Sequence, residues 1–332
     1  MAQVYYDRDA DLKHLEGRTV AVVGYGNQGR AQALNLTDSG VSVMVGCLPD
    51  SYQETAVKDG LKVAGIAEAV QQSDIIMLLI PDEVQSDVYR EHIEPYLKPG
   101  MTLSFASGYN LRFRGIAPPA NVDVILMAPR TIGVTVRETF VEGSGVPADV
   151  SVWQDHSGAA WQTALALAKG VGCTRAGALK TTIEEETELD LFSEQAVWPA
   201  LLDTLLTAYE VLVEKGFSPE AVALELYASG EAADIFRAMA EQGLLEQLKY
   251  HSPTAQYGVL SRRKNAAGPE LRKNMERALE QIRNGSFARE WAGEAAGGYP
   301  NFKRVRGEAA AHPINDADKS IRNAFQRTKV ES

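Results

Sequence analysis

The stretch Thr19-Val-Ala-Val-Val-Gly24-Tyr25-Gly26-Asn27-Gln28-Gly29 restricts the fold more than any other part of this chain. Thr19–Val23 is β-branched apart from Ala21 and reads as a strand buried on both faces. A full Gly-x-Gly-x-x-Gly follows with no spacer. It opens a helical stretch, Arg30 to Thr37, closed by Ser39-Gly40, and a second strand, Val41 to Val45, comes next. This order is a βαβ unit. Gly24 allows the tight turn, Gly26 lets backbone approach a pyrophosphate, and Gly29 lets the helix lie close to the strand. The helix N-terminus then faces the phosphates. Tyr25, Asn27 and Gln28 complete a turn predicted to bind a dinucleotide. An isolated glycine pattern is equally compatible with a purely structural turn; the flanking strand and helix favour the binding reading.

Further strands are predicted at Ile75 to Ile80, Met101 to Ala106, Val122 to Ala128 and Val150 to Gln154. Helices are predicted at Gln53 to Asp59, Ile66 to Gln72, Val84 to Tyr96 and Ala159 to Val171, and a short one at Asp9 to Leu15 in the polar lead-in. Strands alternating with helices imply a mostly parallel sheet. Ligands of such sheets bind at the carboxyl ends of strands, which places Ile80 and Pro81 at the cofactor. Ser107, in the loop Ser107-Gly108-Tyr109-Asn110, stands at another strand end and reads either as a site residue or as a plain polar loop residue. The loop after the second strand sets cofactor choice through Leu48, Asp50 and Ser51. Asp50 can accept hydrogen bonds from ribose hydroxyls, and the loop has no Arg or Lys for a 2′-phosphate, so NADH is favoured. Ser51 could still take a 2′-phosphate, which leaves NADPH open. The competing role is helix capping, by a Ser51-x-x-Glu54 box that Asp50 shares.

Thr181 to Gln195, TTIEEETELDLFSEQ, is the second distinctive stretch. In a helix, Asp190 and Glu194 stand at i and i+4 on one face. Two like charges one turn apart call for a counter-charge, and a hard divalent cation such as Mg²⁺ prefers oxygen ligands. The bland alternative is a solvated acidic face near a helix start. Glu184, Glu185, Glu186 and Glu188 are read as solvated.

After about Ala178 strand-like runs give way to long helical patterns at Glu194 to Lys215, Pro219 to Met239, Glu241 to Tyr250 and Pro269 to Asn284. The last 30 residues mix charges of both signs, as in a surface helix or a partly disordered tail. The expected organisation is a dinucleotide-binding α/β Rossmann domain over 1–178 and an all-α domain over 179–332.

A net charge of −11 argues against a nucleic-acid or anionic-membrane binder, which would carry a basic footprint. Two distant cysteines, Cys47 and Cys173, form no disulfide framework or zinc motif, so a reducing cytoplasm is expected. The charged N-terminus lacks the apolar core of a signal peptide, and no apolar run reads as a membrane span of ~20 residues. No nucleophile-elbow motif suggests a hydrolase.

Together GYGNQGRAQALNLTDSGV from Gly24, LLIPDE from Leu78, FASGYN from Phe105, EEETELDLFSEQ from Glu184 and SPTAQYG from Ser252 resemble the ketol-acid reductoisomerase family in its short form. The resemblance implies a metal-dependent alkyl migration in a 2-hydroxy-2-acyl acid such as acetolactate, then NAD(P)H reduction of the resulting 2-keto acid. It belongs to branched-chain amino-acid biosynthesis. It implies that Asp190 bridges two Mg²⁺ ions, Glu194 binds one of them, Glu231 contributes from a second helix, and Ser252 contacts the substrate carboxylate. It also implies a knotted helical domain that pairs with a second subunit, hence a homodimer or larger assembly.

This chain departs from the family at several positions. Ser107 stands where the family has His beside the nicotinamide. Arg130 replaces a Lys followed by a Gly-Pro-Gly-His loop, of which Gly133 survives at the phosphates. Tyr227 falls where the second helix carries another Glu, unless Glu225 substitutes, and Gln256 replaces an acid. Ser107 and Arg130 are therefore candidate catalytic residues of altered type. Three functions follow: a reductoisomerase with loosened residues, a family reductase for another C=O or C=N substrate without isomerisation, or a non-catalytic dinucleotide-binding protein.

Overall fold

The computed structural model describes residues 2–266 and 268–324. The chain divides into two compact units, Met1–Asp190 and Leu191–Ser332.

In the first unit the strands are β1 (Val4–Tyr5), β2 (Thr19–Val23), β3 (Ser42–Gly46), β4 (Lys62–Ala64), β5 (Ile75–Leu78), β6 (Thr102–Phe105), β7 (Asp123–Pro129), β8 (Ala148–Gln154) and β9 (Ala178–Lys180). They form one sheet in the order β1-β9-β8-β7-β6-β5-β2-β3-β4. The helices are α1 (Asn27–Asp38), α2 (Ser51–Lys58), α3 (Ile66–Gln71), α4 (Asp82–Val88), α5 (Tyr109–Arg112), α6 (Gly133–Glu142), α7 (Ala160–Val171) and α8 (Ile183–Phe192, reaching the unit boundary).

Strand β2 explains why its letters are apolar without alternation. Val20 and Val22 enter the core beneath α1 and α7, with Leu36, Leu165 and Leu167. Ala21 and Val23 enter the opposite core with Ile76, Leu78, Leu103 and Phe105. Both faces of the strand are thus covered, as a doubly wound parallel sheet requires. β2 pairs in parallel with β3 on one side and β5 on the other, so the chain winds away from β2 in both directions. The crevice at this switch point is where ligands of such sheets bind.

The expected mostly parallel sheet is observed, with two antiparallel pairings, β7 with β8 and β1 with β9. Strands β1 and β4 were not legible: two or three residues are too few for a periodic signal. The expected helix Asp9 to Leu15 is instead two 3₁₀ turns, Asp7–Asp9 and Leu12–Leu15. The expected helix Val84 to Tyr96 begins at Asp82 and changes pitch to a π turn at Tyr89–Ile93, ahead of Pro95. The unit boundary lies beyond the compositional shift at Ala178 because Ile183 is part of the core under the sheet.

The second unit is helical: α9 (Trp198–Glu214), α10 (Pro219–Ala223), α11 (Glu231–Gln242), α12 (Pro253–Ala266), α13 (Pro269–Arg283), α14 (Ser286–Ala296), α15 (Pro300–Ala310) and α16 (Ile314–Ala324). Its core gathers Tyr209, Val222, Ala223, Ala317 and Ile321. The continuous helix expected over Pro219 to Met239 is broken at Gly230, whose φ of 91° no helix accommodates. Glu231 therefore opens a new helix. The charged C-terminal stretch is helical through Ala324, and the tail from 325 onward lies outside the described residues.

The helical run Ile183–Glu214 is long and apolar enough to cross a membrane by length and composition only, and nine acidic residues from Glu184 to Glu214 break its sequence into shorter apolar runs, as expected. Only 11% of its apolar window is buried within the chain.

Candidate active site

The glycine turn closes on itself by backbone contact. A Cβ on Gly24 would lie 2.6 Å from Ile80 Cγ2 and 2.7 Å from the Leu79 carbonyl oxygen, and Gly24 has φ 96°. A Cβ on Gly29 would lie 2.1 Å from the Gly24 carbonyl oxygen. A Cβ on Gly26 meets nothing within 4 Å, so the turn is open on the side from which a phosphate approaches. Gly26 is the N-cap of α1 and no side chain caps the helix, which leaves its first amides for an anion. These features fit a dinucleotide pyrophosphate.

Each neighbouring residue has a definite place. The Tyr25 ring is buried and its hydroxyl donates to Asp59 Oδ2 at 2.8 Å, so its side chain fastens the turn inward. Gln28 Nε2 donates to the Thr131 carbonyl at 2.8 Å. A Cβ on Gly133 would lie 2.0 Å from the Asn27 carbonyl oxygen, so the start of α6 presses on the start of α1. The structure thus brings Asn27, Gln28, Ile80 and Gly133 to one crevice at the switch point. Pro81 precedes α4 there.

In the loop after β3, Asp50 is the N-cap of α2, accepting hydrogen bonds on Oδ1 from Tyr52 N (2.9 Å) and Gln53 N (3.2 Å). The Ser51-x-x-Glu54 box is replaced by this cap, with Ser51 as the first helical residue. Such a cap contributes about 1 kcal/mol and holds a carboxylate at the loop. Leu48 is exposed beside it.

Across the sheet, Gly108 presses on α8: its Cβ would lie 2.3 Å from Thr187 Oγ1. Gly108 N donates to Glu186 Oε2 at 2.9 Å, and Ser107 Oγ accepts from Tyr109 N at 3.3 Å. Arg130 follows β7, its amide fastened to the Pro147 carbonyl at 2.9 Å. Its guanidinium meets three carboxylates. Nη2 donates to Asp190 Oδ1 at 2.7 Å, Nη1 donates to Glu186 Oε1 at 3.5 Å, and Nε lies 3.6 Å from Asp149 Oδ2. Burial by itself would weaken the charged form of Arg130; the Asp190 hydrogen bond, with the charges of Asp190, Asp149 and Glu186, more than offsets this.

Glu186 corrects the expectation of a solvated acidic face. It is 2% exposed, and burial pushes its carboxyl up to about 7, against the lowering pull of the Gly108 amide. Burial also raises Asp149. Glu188 is likewise engaged, pairing with Arg112 at 3.2 Å, while Glu184 and Glu185 are exposed as expected. The signal for Glu186 was available: it stands one turn before Asp190, on the face that singled out Asp190 and Glu194.

In the helical unit, Glu194 is exposed within a π-helical turn, Ser193–Val197, a deviation frequent at functional sites. Glu225 and Glu231 are exposed. The Tyr227 hydroxyl donates to Asp318 Oδ1 at 2.5 Å. Ser252 Oγ accepts from Ala255 N at 3.2 Å at the start of α12, and Gln256 Nε2 donates to the His251 carbonyl at 2.8 Å. Among the described residues, no three His, Cys, Asp or Glu side chains converge as a ready cation site.

A doubly wound sheet with a glycine-bounded, uncapped helix start at its switch point defines a dinucleotide-binding protein of Rossmann architecture. Residues 14–177 match the family described as acetohydroxy acid isomeroreductase, NADPH-binding domain, and 183–327 match ketol-acid reductoisomerase, C-terminal domain. The chain belongs to the ketol-acid reductoisomerase family. It is 43% identical over 324 residues to the ketol-acid reductoisomerase (NADP(+)) of Methanocaldococcus jannaschii, covering 97% of this chain and 98% of that protein. The structure of an NADH-preferring ketol-acid reductoisomerase from an uncultured archaean superposes with a TM-score of 0.93 at 38% identity, over 97% of this chain and 98% of that one. A semialdehyde dehydrogenase NAD-binding protein from Cupriavidus necator, 17% identical, matches with a TM-score of 0.62 over 80% of this chain and 99% of its own, a likeness of fold alone. The protein is thus an NAD(P)H-dependent oxidoreductase of this family, acting on a small molecule.

Proposed function

We propose that the chain reduces a 3-hydroxy-2-keto acid with NADH and a divalent cation, Mg²⁺, for which Asp190 and Glu194, one turn apart in sequence, are the ligands. The observation that carries the reading is the open face of Gly26 before the uncapped start of α1. NADH, when bound, would supply the hydride, and Mg²⁺ on Asp190 and Glu194 would polarise the carbonyl that receives it. Gly24–Gly29 and Gly133 hold the pyrophosphate, and Leu48, Asp50, Ser51, Ile80 and Pro81 border the adenosine and nicotinamide ends. The Asp50 carboxylate opposes a 2′-phosphate, which favours NADH. Ser107 offers a hydroxyl to the reacting end, orienting it without titrating near neutral pH, and Arg130 supplies fixed positive charge. Ser252, its Oγ already accepting a backbone amide, keeps its proton to donate to the substrate carboxylate.

The first unit does the cofactor work and carries Asp190 in this reading, and the helical unit serves substrate and assembly. Trp198 and Leu202 on α9 are exposed, as are Phe217 and Phe236, and in this reading a second copy of the chain covers such apolar side chains in a homodimer or larger assembly. The buried, unpaired thiols of Cys47 and Cys173 suit the reducing cytoplasm.

A second reading, reduction without isomerisation, is favoured by the ion pair between Arg130 and Asp190, because alkyl migration depends on the metals that Asp190 serves. The test gives the protein acetolactate and, separately, a ready-made 3-hydroxy-2-keto acid, each with and without Mg²⁺, and follows NADH oxidation. Turnover of both substrates supports the reductoisomerase. Turnover of the keto acid alone leaves the reductase, and turnover of neither overturns both.

A further inference from the structure

We propose that the Arg130 guanidinium takes the place of one of two cations on Asp190, so that each site binds a single divalent ion beside a fixed organic cation. The proposal rests on the reading of Asp190 as a metal ligand. A carboxylate that bridges two ions about 3.5–4 Å apart gives one oxygen to each. Asp190 gives Oδ1 to Arg130 Nη2 at 2.7 Å, which leaves Oδ2 for one ion.

Arg130 is held beside Asp190 from several sides. Its backbone amide is tied to Pro147, its other nitrogens face Glu186 Oε1 and Asp149 Oδ2, and the three carboxylates surround one planar group. A lysine ammonium on a flexible stem can swing away; a guanidinium with its donors fixed in one plane keeps its partners. An ion placed on Oδ1 would displace Nη2 and leave two cations in repulsive contact.

The consequence for chemistry is a change in electrophile. A divalent ion would supply Lewis-acid polarisation to the substrate's oxygens, whereas a guanidinium only donates hydrogen bonds to them. Hydride transfer to a ready-made 2-keto acid survives this change better than alkyl migration does.

The probe is Mn²⁺, titrated into the full-length protein with NADH bound and followed by electron paramagnetic resonance and metal analysis. The expected result is one magnetically isolated Mn²⁺ per chain. Two exchange-coupled ions per chain overturn the proposal. In R130M the Asp190 carboxylate is released, and Mn²⁺ binds about tenfold tighter or more; an unchanged affinity in an R130M that still binds NADH overturns the proposal. Should R130M fail to fold, the wild-type stoichiometry decides alone. Wild-type protein that binds NADH but no Mn²⁺, while R130M binds it, overturns the proposal, since the wild-type site then holds no ion beside Arg130. No Mn²⁺ in either overturns the metal reading as well.

Discussion

Replacing Glu186 by Gln tests whether the carboxyl beneath Arg130 is held partly protonated. Gln keeps an acceptor for the Gly108 amide and removes the titration. In the unfolded chain the Glu186 carboxyl titrates near 4.5, and in the fold burial moves it to about 7. The folded state therefore binds an extra proton between these values. The stabilisation is complete below about 4.5 and is lost as pH rises through about 7. A shift of this size corresponds to about 3 kcal/mol. Unfolding by urea, followed by Trp153 and Trp161 with Trp198 and Trp291 replaced by Phe, reports on the first unit. Stability of E186Q relative to the parent is expected to rise by about 3 kcal/mol, most of it between pH 5 and 8. Curves for the two proteins that run parallel within about 0.5 kcal/mol across that range would refute the argument.

Gly133→Ala pushes a methyl group into the Asn27 carbonyl, which is backbone and cannot rotate away; NADH binding by calorimetry is expected to weaken at least about tenfold, with a stability loss of about 1–3 kcal/mol. Asp50→Arg removes the cap of α2 and puts a cation at the ribose end of the loop. Its kcat/KM ratio for NADPH over NADH is expected to rise about tenfold or more, and an unchanged ratio removes Asp50 from cofactor choice. Leu202→Glu, at a position 60% exposed, is expected to give monomers by light scattering, whereas an unaltered assembly places the contact elsewhere.

What the letters alone determined is local. Thr19–Gly29 specified strand, turn and helix because glycine spacing and an unbroken β-branched run depend only on neighbouring residues, and the mostly parallel sheet followed from repeating that unit. The i, i+4 pair on the acidic helix was legible for the same reason. The short strands Val4–Tyr5 and Lys62–Ala64 left no pattern, since their pairing partners rather than their residues make them strands. The electrostatics of the site belonged to tertiary structure. Arg130 meets Glu186 and Asp190 across 56 and 60 residues of chain, and no periodicity carries information over that distance. Glu186 and Glu185 are the same residue type side by side, yet one is buried against Gly108 and the other is in water. Only the docking of α8 against the loop after β6 separates them, because the fold decides which face of a helix loses its solvent.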